Sequence, residues 1–353
     1  MIMPLMTFID AINEALSVAM ARDPNVICYG LGVDDPKGVF GTTLGLQAKF
    51  GPERVFDMPT SENAMTGIGI GAALYGLRPV MTHQRLDFAL LSMDQLVNNA
   101  AKWRFMFGGH RGVPLTVRMI IGRGWGQGPQ HSQALQAWFA HIPGLKVVMP
   151  TTPYDAKGML IAAVEDDAPV IVVEHRWLYG IAGDVPEGHY RVPLNKARVV
   201  RSGADITLIG ASYMTIESLR AAEMLVALGI DAEVIDLRSL TPIDAETLGV
   251  SVRKTGRAVI SDTGHSAFGV AAEVTACVVE TAFGALKAPP RRVALPHIPT
   301  PTTPALANLY YPRAIDIARA ALAVLGNADR APDLVDPATV PLDVPDPTFV
   351  GPY

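Results

Sequence analysis

FDMPTSENAMTGIGIGAALYGLRPVMTHQRLDF, residues 56–88, decides how this chain is read. Pro59 favours an extended approach, Thr60 and Ser61 are residues that cap helices, and the acidic Glu62 then opens a helix. Gly67, Gly69, Gly71, Ala72 and Ala73 leave one face of that helix almost without side-chain bulk. A glycine inside a helix costs roughly 1 kcal/mol relative to alanine, so the cluster asks for a compensating reason. Close approach of another backbone, a flat ligand or a neighbouring helix supplies one. On these residues alone, Glu62 is equally well an ordinary first-turn acid that satisfies the helix dipole. Residues 78–81 read as a buried strand, and THQRLDF as a polar bend after it.

Outward from this stretch the chain alternates. N-terminal to it, residues 8–22 carry apolar positions at helical spacing behind Thr7, and residues 26–29 form a short apolar run. The glycine-rich segment between them and Phe56 lacks the spacing of a phosphate loop. C-terminal to it, residues 87–107 predict one long helix stopped by Gly108 and Gly109, and 114–121 a strand. The loop GRGWGQGPQHSQ, with four glycines from Gly122 to Gly128, then puts His131 and Ser132 at the mouth of a further helix. A histidine in that place serves either as a structural cap or as a functional group. Residues 146–149 and 170–174 are strands around a helix at 154–165, the pattern of a parallel sheet covered on both faces.

Residues 178–196, rich in Gly and Pro, read as a linker. A second α/β unit follows, with strands at 206–210, 232–236, 258–261 and 293–295, helices at 215–228, 244–254 and 268–286, and a final helix opened by Pro312. The expected division is 1–195, 196–326 and a tail of 327–353 whose six prolines oppose regular structure. That tail is either disordered or an arm ending in Phe349 and Tyr353 laid on a partner.

A chain of 353 residues with 49% hydrophobic and only 18% charged residues has little polar material to cover a monomer, which points to a large subunit interface. A net charge of −5 without a basic block gives nucleic-acid binding little support. No run approaches the ~20 uninterrupted apolar residues that span a bilayer. Cys28 and Cys277 lie far apart in apolar segments with no metal-ligand spacing. These features together predict a cytoplasmic protein with reduced thiols, no membrane partner and no nucleic-acid partner.

Several blocks, in order, resemble one family: KFGPERVFDMPTSE, GIGIGAALYGLRPV, MDQLVNNAAKWRFMFGG, GPQHSQALQAWFAHIPGLKVVMPTTPYDAKGML and DDAPVIVVEH. The chain is similar to the beta subunits of the thiamine diphosphate-dependent decarboxylating component of 2-oxo acid dehydrogenase complexes, of the pyruvate, acetoin and branched-chain types, within the transketolase-like superfamily. The resemblance implies an α/β fold of two domains, each a mostly parallel sheet covered by helices, one binding the cofactor's pyrimidine and one of the transketolase C-terminal type. It implies that Glu62 hydrogen-bonds the aminopyrimidine ring, where loss of hydration among Met, Gly and Ile residues would raise its proton affinity. Gln84 and Phe88 would flank that ring, and His131 would stand on the substrate side as a proton or hydrogen-bond donor. Backbone carbonyls near Ala163, Val164 and Asp166 match a segment that cradles potassium (K+) in some relatives.

The superfamily's GDG motif for the diphosphate and its magnesium (Mg2+) has no counterpart here; Gly183-Asp184 runs into Val185. The resemblance therefore implies an alpha subunit that brings the missing half, an α2β2 assembly, and a lipoyl acyltransferase core as acceptor of the acyl group from a small 2-oxo acid. Thr82, His83 and Arg85 make the bend more polar than in most of the family. His83 and Arg85 become candidate substrate contacts, against a solvated arginine or an intersubunit ion pair as the plainer role for Arg85. A split transketolase or acyloin synthase, and a beta-like subunit without chemistry, are the competing classes.

Overall fold

The computed structural model describes residues 3–124 and 126–335. The first half of the chain contributes strands β1 (Leu5–Thr7), β2 (Val26–Gly30), β3 (Val55–Phe56), β4 (Arg78–His83), β5 (Thr116–Ile121), β6 (Lys146–Val148), β7 (Val170–His175) and β8 (Ala182–Asp184). The second half contributes β9 (Arg198–Arg201), β10 (Ile206–Gly210), β11 (Ala232–Asp236), β12 (Ser239–Thr241), β13 (Ala258–His265) and β14 (Arg291–Leu295). They build a seven-stranded sheet in the order β12-β6-β7-β5-β4-β2-β3, a five-stranded sheet in the order β14-β13-β10-β11-β9, and a two-stranded ribbon of β1 with β8. Among the described residues, only the edge strands β12 and β9 run antiparallel within the large sheets.

Parallel strands covered on both faces need side chains that are apolar in both directions. β5 (TVRMII) and β7 (VIVVEH) are buried at every position. Their two charged residues answer each other: Arg118 donates from Nε to Glu174 Oε1 at 2.6 Å and from Nη2 to Oε2 at 2.9 Å, and Tyr179 donates to the same carboxylate at 2.7 Å. This saturates the acid where water is excluded. Helix Phe8–Arg22 starts at a capping box of Thr7 and Asp10 and packs on helix Pro153–Val164.

Three expectations need correction. Residues 87–107 do not form one α-helix. The chain runs as Leu86–Ala89, a tight turn Leu90–Ser92, a wide π turn Gln95–Ala100 and only then Ala101–Met106. Ser92 hydroxyl is diverted to the Glu62 carbonyl at 3.0 Å and Gln95 to Asn63 at 2.9 Å, so side-chain bonds to the neighbouring helix compete with a regular ladder. The segment read as linker holds β8, which pairs with β1, Leu5 opposite Asp184. His131 and Ser132 precede the next helix, Gln136–Ala140, by several residues of irregular chain.

The second unit inserts β12 into the sheet of the first, Ser239 opposite Val148, and Arg238 Nη1 donates to the buried Asp155 at 3.0 Å across the same seam. One hydrophobic cluster runs through both units, including Met159, Leu160, Leu194, Leu208 and Met214. The final helix is Ala314–Leu325, closed by Gly326 at φ 78°. The start of the proline-rich tail is ordered: Ala328–Asp333 forms a short 3-10 turn, Arg330 donates to the Leu228 carbonyl at 3.1 Å, and Leu334 is buried. Phe349 and Tyr353 lie outside the described residues.

Candidate active site

In the seven-stranded sheet, β3 lies on one side of β2 and β4 on the other, so the winding reverses between β2 and β4. Loops leaving the carboxyl ends of adjacent strands diverge at such a point and open a crevice. Gln84, just after β4, bridges it by donating to the Leu31 carbonyl just after β2 at 3.0 Å. The bend 84–88 and the loop 122–133 after β5 meet beside this crevice. Arg85 donates to the Gly122 carbonyl at 2.5 Å, Gln133 donates to Asp87 at 2.7 Å, and the rings of Phe88 and His131 meet edge-on at 5.5 Å and 86°. Two sequence candidates from separate segments are thus in contact.

Glu62 is 4% exposed at the first position of helix Glu62–Leu74. Ser61 gives no side-chain cap there; instead Thr66 donates to the Glu62 carbonyl at 2.7 Å and Ser92 at 3.0 Å. Among the described residues no hydrogen bond or ion pair takes the Glu62 carboxylate. Ser92 lies one turn beyond Phe88, so this clasp ties the Glu62 helix to the segment that carries the ring. The glycine face behind it is used unevenly. A Cβ on Gly69 would fall 2.2 Å from the Tyr29 hydroxyl and one on Gly67 3.3 Å from Gln95, whereas Gly71 meets nothing within 4 Å. Side chains, not another backbone, fill the expected gap.

The two substrate candidates on the bend, His83 and Arg85, are both buried. His83 ends β4 at 2% exposure, burial pushes its imidazole down to about 4, and Nε2 has no partner among the described residues. It is sealed in the sheet. Arg85 is 3% exposed and faces its own chain, which removes the solvated arginine as a reading; desolvation, and after it the Arg176 charge, lower it to about 9. At the segment expected to cradle potassium, Arg78 Nη1 already donates to the carbonyls of Val164 and Asp166, 3.1 Å each, while Ala163 accepts from the Asp166 N–H. A cation of the chain's own occupies that donor set, and the residues do not fit a bare ion. Among the described residues no cluster of three His, Cys, Asp or Glu side chains is placed to hold a metal.

Sequence reasoning missed a second tier beneath the loop. His175 stacks on Tyr213 at 5.0 Å, accepts from the Trp177 N–H at 3.2 Å, and is pushed down to about 3 by burial and by the charges of Arg313, Arg176 and Arg85. These residues come from β7, its following turn, and the second unit, so no local spacing announces them. A groove of about 950 Å³ lined by Trp138, His141, Pro242 and Phe268 contains none of the candidates. No helix among the described residues is long and apolar enough to cross a membrane.

Residues 5–181 match the family model described as transketolase, pyrimidine binding domain, and residues 195–317 the one described as transketolase, C-terminal domain. The acetoin:2,6-dichlorophenolindophenol oxidoreductase subunit beta of Cupriavidus necator is 46% identical over 88% of this chain and 95% of its own length. The pyruvate dehydrogenase E1 component subunit beta of Staphylococcus epidermidis is 43% identical over 92% and 99%, and the mitochondrial beta-1 subunit of Arabidopsis thaliana 42% over 89% and 88%. A solved structure titled split gene transketolase, inactive beta4 tetramer, shares the fold with a TM-score of 0.75 at 24% identity, covering 92% of this chain and 99% of that one. With both domain types matched along the chain and relatives of this similarity over most of its length, the protein belongs to the transketolase-fold family of pyruvate and acetoin dehydrogenase E1 beta subunits.

Proposed function

We propose that this chain is the beta half of a heteromeric thiamine diphosphate-dependent dehydrogenase that decarboxylates a 2-oxo acid and passes the acyl group to a lipoyl carrier. The observation that carries the reading is Glu62: a residue only 4% exposed at the head of its helix, whose carboxylate takes no partner among the described residues and whose backbone carbonyl is clasped by Thr66 and Ser92. An unengaged carboxylate of this kind fits a ring nitrogen with which it can share a proton. Gln84 and Phe88, half-buried on the bend after β4, are suited to flank the pyrimidine. His131, exposed on the facing loop, keeps an imidazole at the substrate side, and the Asp87–Gln133 bond holds that loop to the bend. When bound, thiamine diphosphate supplies the electron sink for the pair left by departing carbon dioxide.

The chain has no GDG motif, so magnesium and the diphosphate are assigned to an alpha subunit in an α2β2 assembly, with a lipoyl acyltransferase core as the acyl acceptor. Potassium is left out, because Arg78 holds the carbonyls of Val164 and Asp166. Residues 1–195 form the pyrimidine side, 196–326 the second unit and 327–353 a tail, and a cytoplasmic setting suits its two unpaired cysteines. Transfer to an aldehyde, as in a split transketolase, is not favoured, since the likeness to that protein is one of fold alone.

The test is to express the chain with the alpha-type gene beside its own and assay thiamine diphosphate-dependent decarboxylation across 2-oxo acids, with free lipoyl domain and with aldehydes as acceptors. Turnover that requires both polypeptides and reduces the lipoyl acceptor is expected. Activity of the isolated chain, or transfer to aldehydes alone, would overturn the proposal.

A further inference from the structure

Three donors converge on one oxygen beside the candidate site. The side-chain carbonyl of Gln127 accepts from Arg85 Nη2 in a very short contact, from the Gly124 N–H at 2.9 Å and from Arg176 Nη1 at 3.5 Å. Arg85 and Arg176 are 3% and 2% exposed, and both guanidinium groups lie over the Phe40 ring, at 6.0 and 5.0 Å. The two guanidinium groups carry like charges, and the Arg176 charge is among the causes that lower Arg85, while the Asp87 charge acts the other way. Gly124 completes the concavity. A Cβ there would lie 2.3 Å from Arg176 Nη1, 2.5 Å from Gln127 Oε1 and 3.1 Å from Arg85 Nη2, so a glycine keeps open the point where backbone and both arginines meet.

Two forked guanidinium groups and a backbone N–H aimed at one point form the donor arrangement that oxyanions select, and a carboxylate would be held there more strongly than an amide. Gln127 itself is only half-buried, at the outer side of the cluster, so its side chain is a displaceable plug and not a core residue. Arg85 lies three residues before Phe88, and Gln127 four before His131, on the same bend and loop whose contact defines the candidate site.

We propose that Arg85, Arg176 and the Gly124 N–H form an oxyanion pocket at the substrate side, occupied in the resting chain by the Gln127 amide and taking a carboxylate or phosphate when one is offered. Within the proposed decarboxylase this assigns a substrate class: a 2-oxo acid carrying a second acidic group. That part rests on the reading of the chain as a dehydrogenase subunit. The pocket does not, because anion binding needs no turnover.

The experiment uses the α2β2 complex. Inorganic phosphate is titrated at fixed ionic strength while melting temperature is followed for wild type, Arg85→Gln and Gln127→Glu; then kcat/KM is compared for pyruvate and for 2-oxoglutarate. The wild type is expected to melt a few degrees higher with phosphate, and Arg85→Gln to lose that response. Gln127→Glu, which places a carboxylate in the pocket, is expected to melt higher without phosphate, to stop responding to it, and to lose a preference of at least tenfold for the diacid. A phosphate response without any diacid preference assigns the pocket to free inorganic anions and still upholds its chemistry. Destabilisation by Gln127→Glu, or a wild type indifferent to both phosphate and the second carboxylate, overturns the pocket. Phosphate protection in a complex that decarboxylates nothing leaves the pocket standing and rejects the dehydrogenase reading alone.

Discussion

Phe88 and His131, 43 residues apart in sequence, meet ring edge to ring face at 5.5 Å and 86°. One lies on the bend after β4 and the other on the loop after β5, so the contact follows from two neighbouring parallel strands releasing their chains at the same end of the sheet. His131 is exposed and carries no structural hydrogen bond of its ring among the described residues. His131→Ala in the α2β2 complex should therefore leave melting temperature and cofactor affinity nearly unchanged while lowering single-turnover acyl transfer by ~10²-fold, the scale of a lost proton donor. Loss of stability with normal turnover per assembled site would return the residue to a structural role.

Glu62→Gln keeps the shape of the side chain and the clasp on its carbonyl, which comes from Thr66 and Ser92. Assembly is expected to survive. Turnover is expected to fall by ~10²-fold or more, because an amide does not exchange a proton with a ring nitrogen. Near-native turnover of the purified variant complex would show the carboxylate has no part in the chemistry.

Two glycines of one helix should respond in opposite directions. Gly69→Ala drives a methyl group toward the Tyr29 hydroxyl, with 2.2 Å between them before relaxation, and overpacking of this kind costs roughly 1–3 kcal/mol. Adding Tyr29→Phe should recover most of the loss. Gly71→Ala meets nothing and should stabilise the isolated chain by roughly 0.5–1 kcal/mol. Urea unfolding of the three variants reads both effects; equal destabilisation at the two positions would contradict the uneven face.

Acid should unfold the chain earlier than its carboxylates alone require. His83 at about 4 and His175 at about 3 are both held below the ordinary 6.5, so above pH 6.5 neither folded nor unfolded state protonates them. As pH falls below 6.5 the unfolded chain gains protons that the folded chain refuses, and stability is lost until the folded values are reached. For His83 the full span amounts to roughly 3 kcal/mol. His175 faces Arg85, Arg176, Arg313, Trp177 and Tyr213, none of which offers a counter-charge. Unfolding free energies at pH 7, 6 and 5 should show a shallower decline for His83→Asn and for His175→Asn than for wild type; unchanged slopes would mean both histidines titrate normally.

The long apolar strands were legible in the residues. β10 and β11 begin and end where continuous runs of branched residues do, and helix Phe8–Arg22 starts at the predicted cap. The short edge strands β1, β8, β9 and β12 were not, because runs of only three or four residues take strand geometry only when a partner presents its edge. Around the site, the family resemblance is what singles out Glu62, Phe88 and His131; the residues alone leave Glu62 and His131 open to structural roles. For Arg85 the sequence leaves a substrate contact, a solvated arginine and an intersubunit ion pair all open, since nothing near it in sequence shows that Gly122 and Gln127 wait on the next strand's loop. Arg176 and His175 followed the same rule: their neighbours come from register between β5 and β7 and from the second unit, which composition does not encode.

β12 belongs by sequence to the second unit and by hydrogen bonding to the first, where Ser239 lies opposite Val148 and the Met149 N–H donates to the Arg238 carbonyl at 2.7 Å. A protease that nicked the connecting segment between β8 and β9 would cut the chain without parting it, because the sheet still holds a piece of the other fragment. Released alone, the first fragment would present the bare edge of β6 as a template for aggregation. The two halves should melt in a single transition, and a gene cut at the connecting segment should yield two polypeptides that reassemble only when made together.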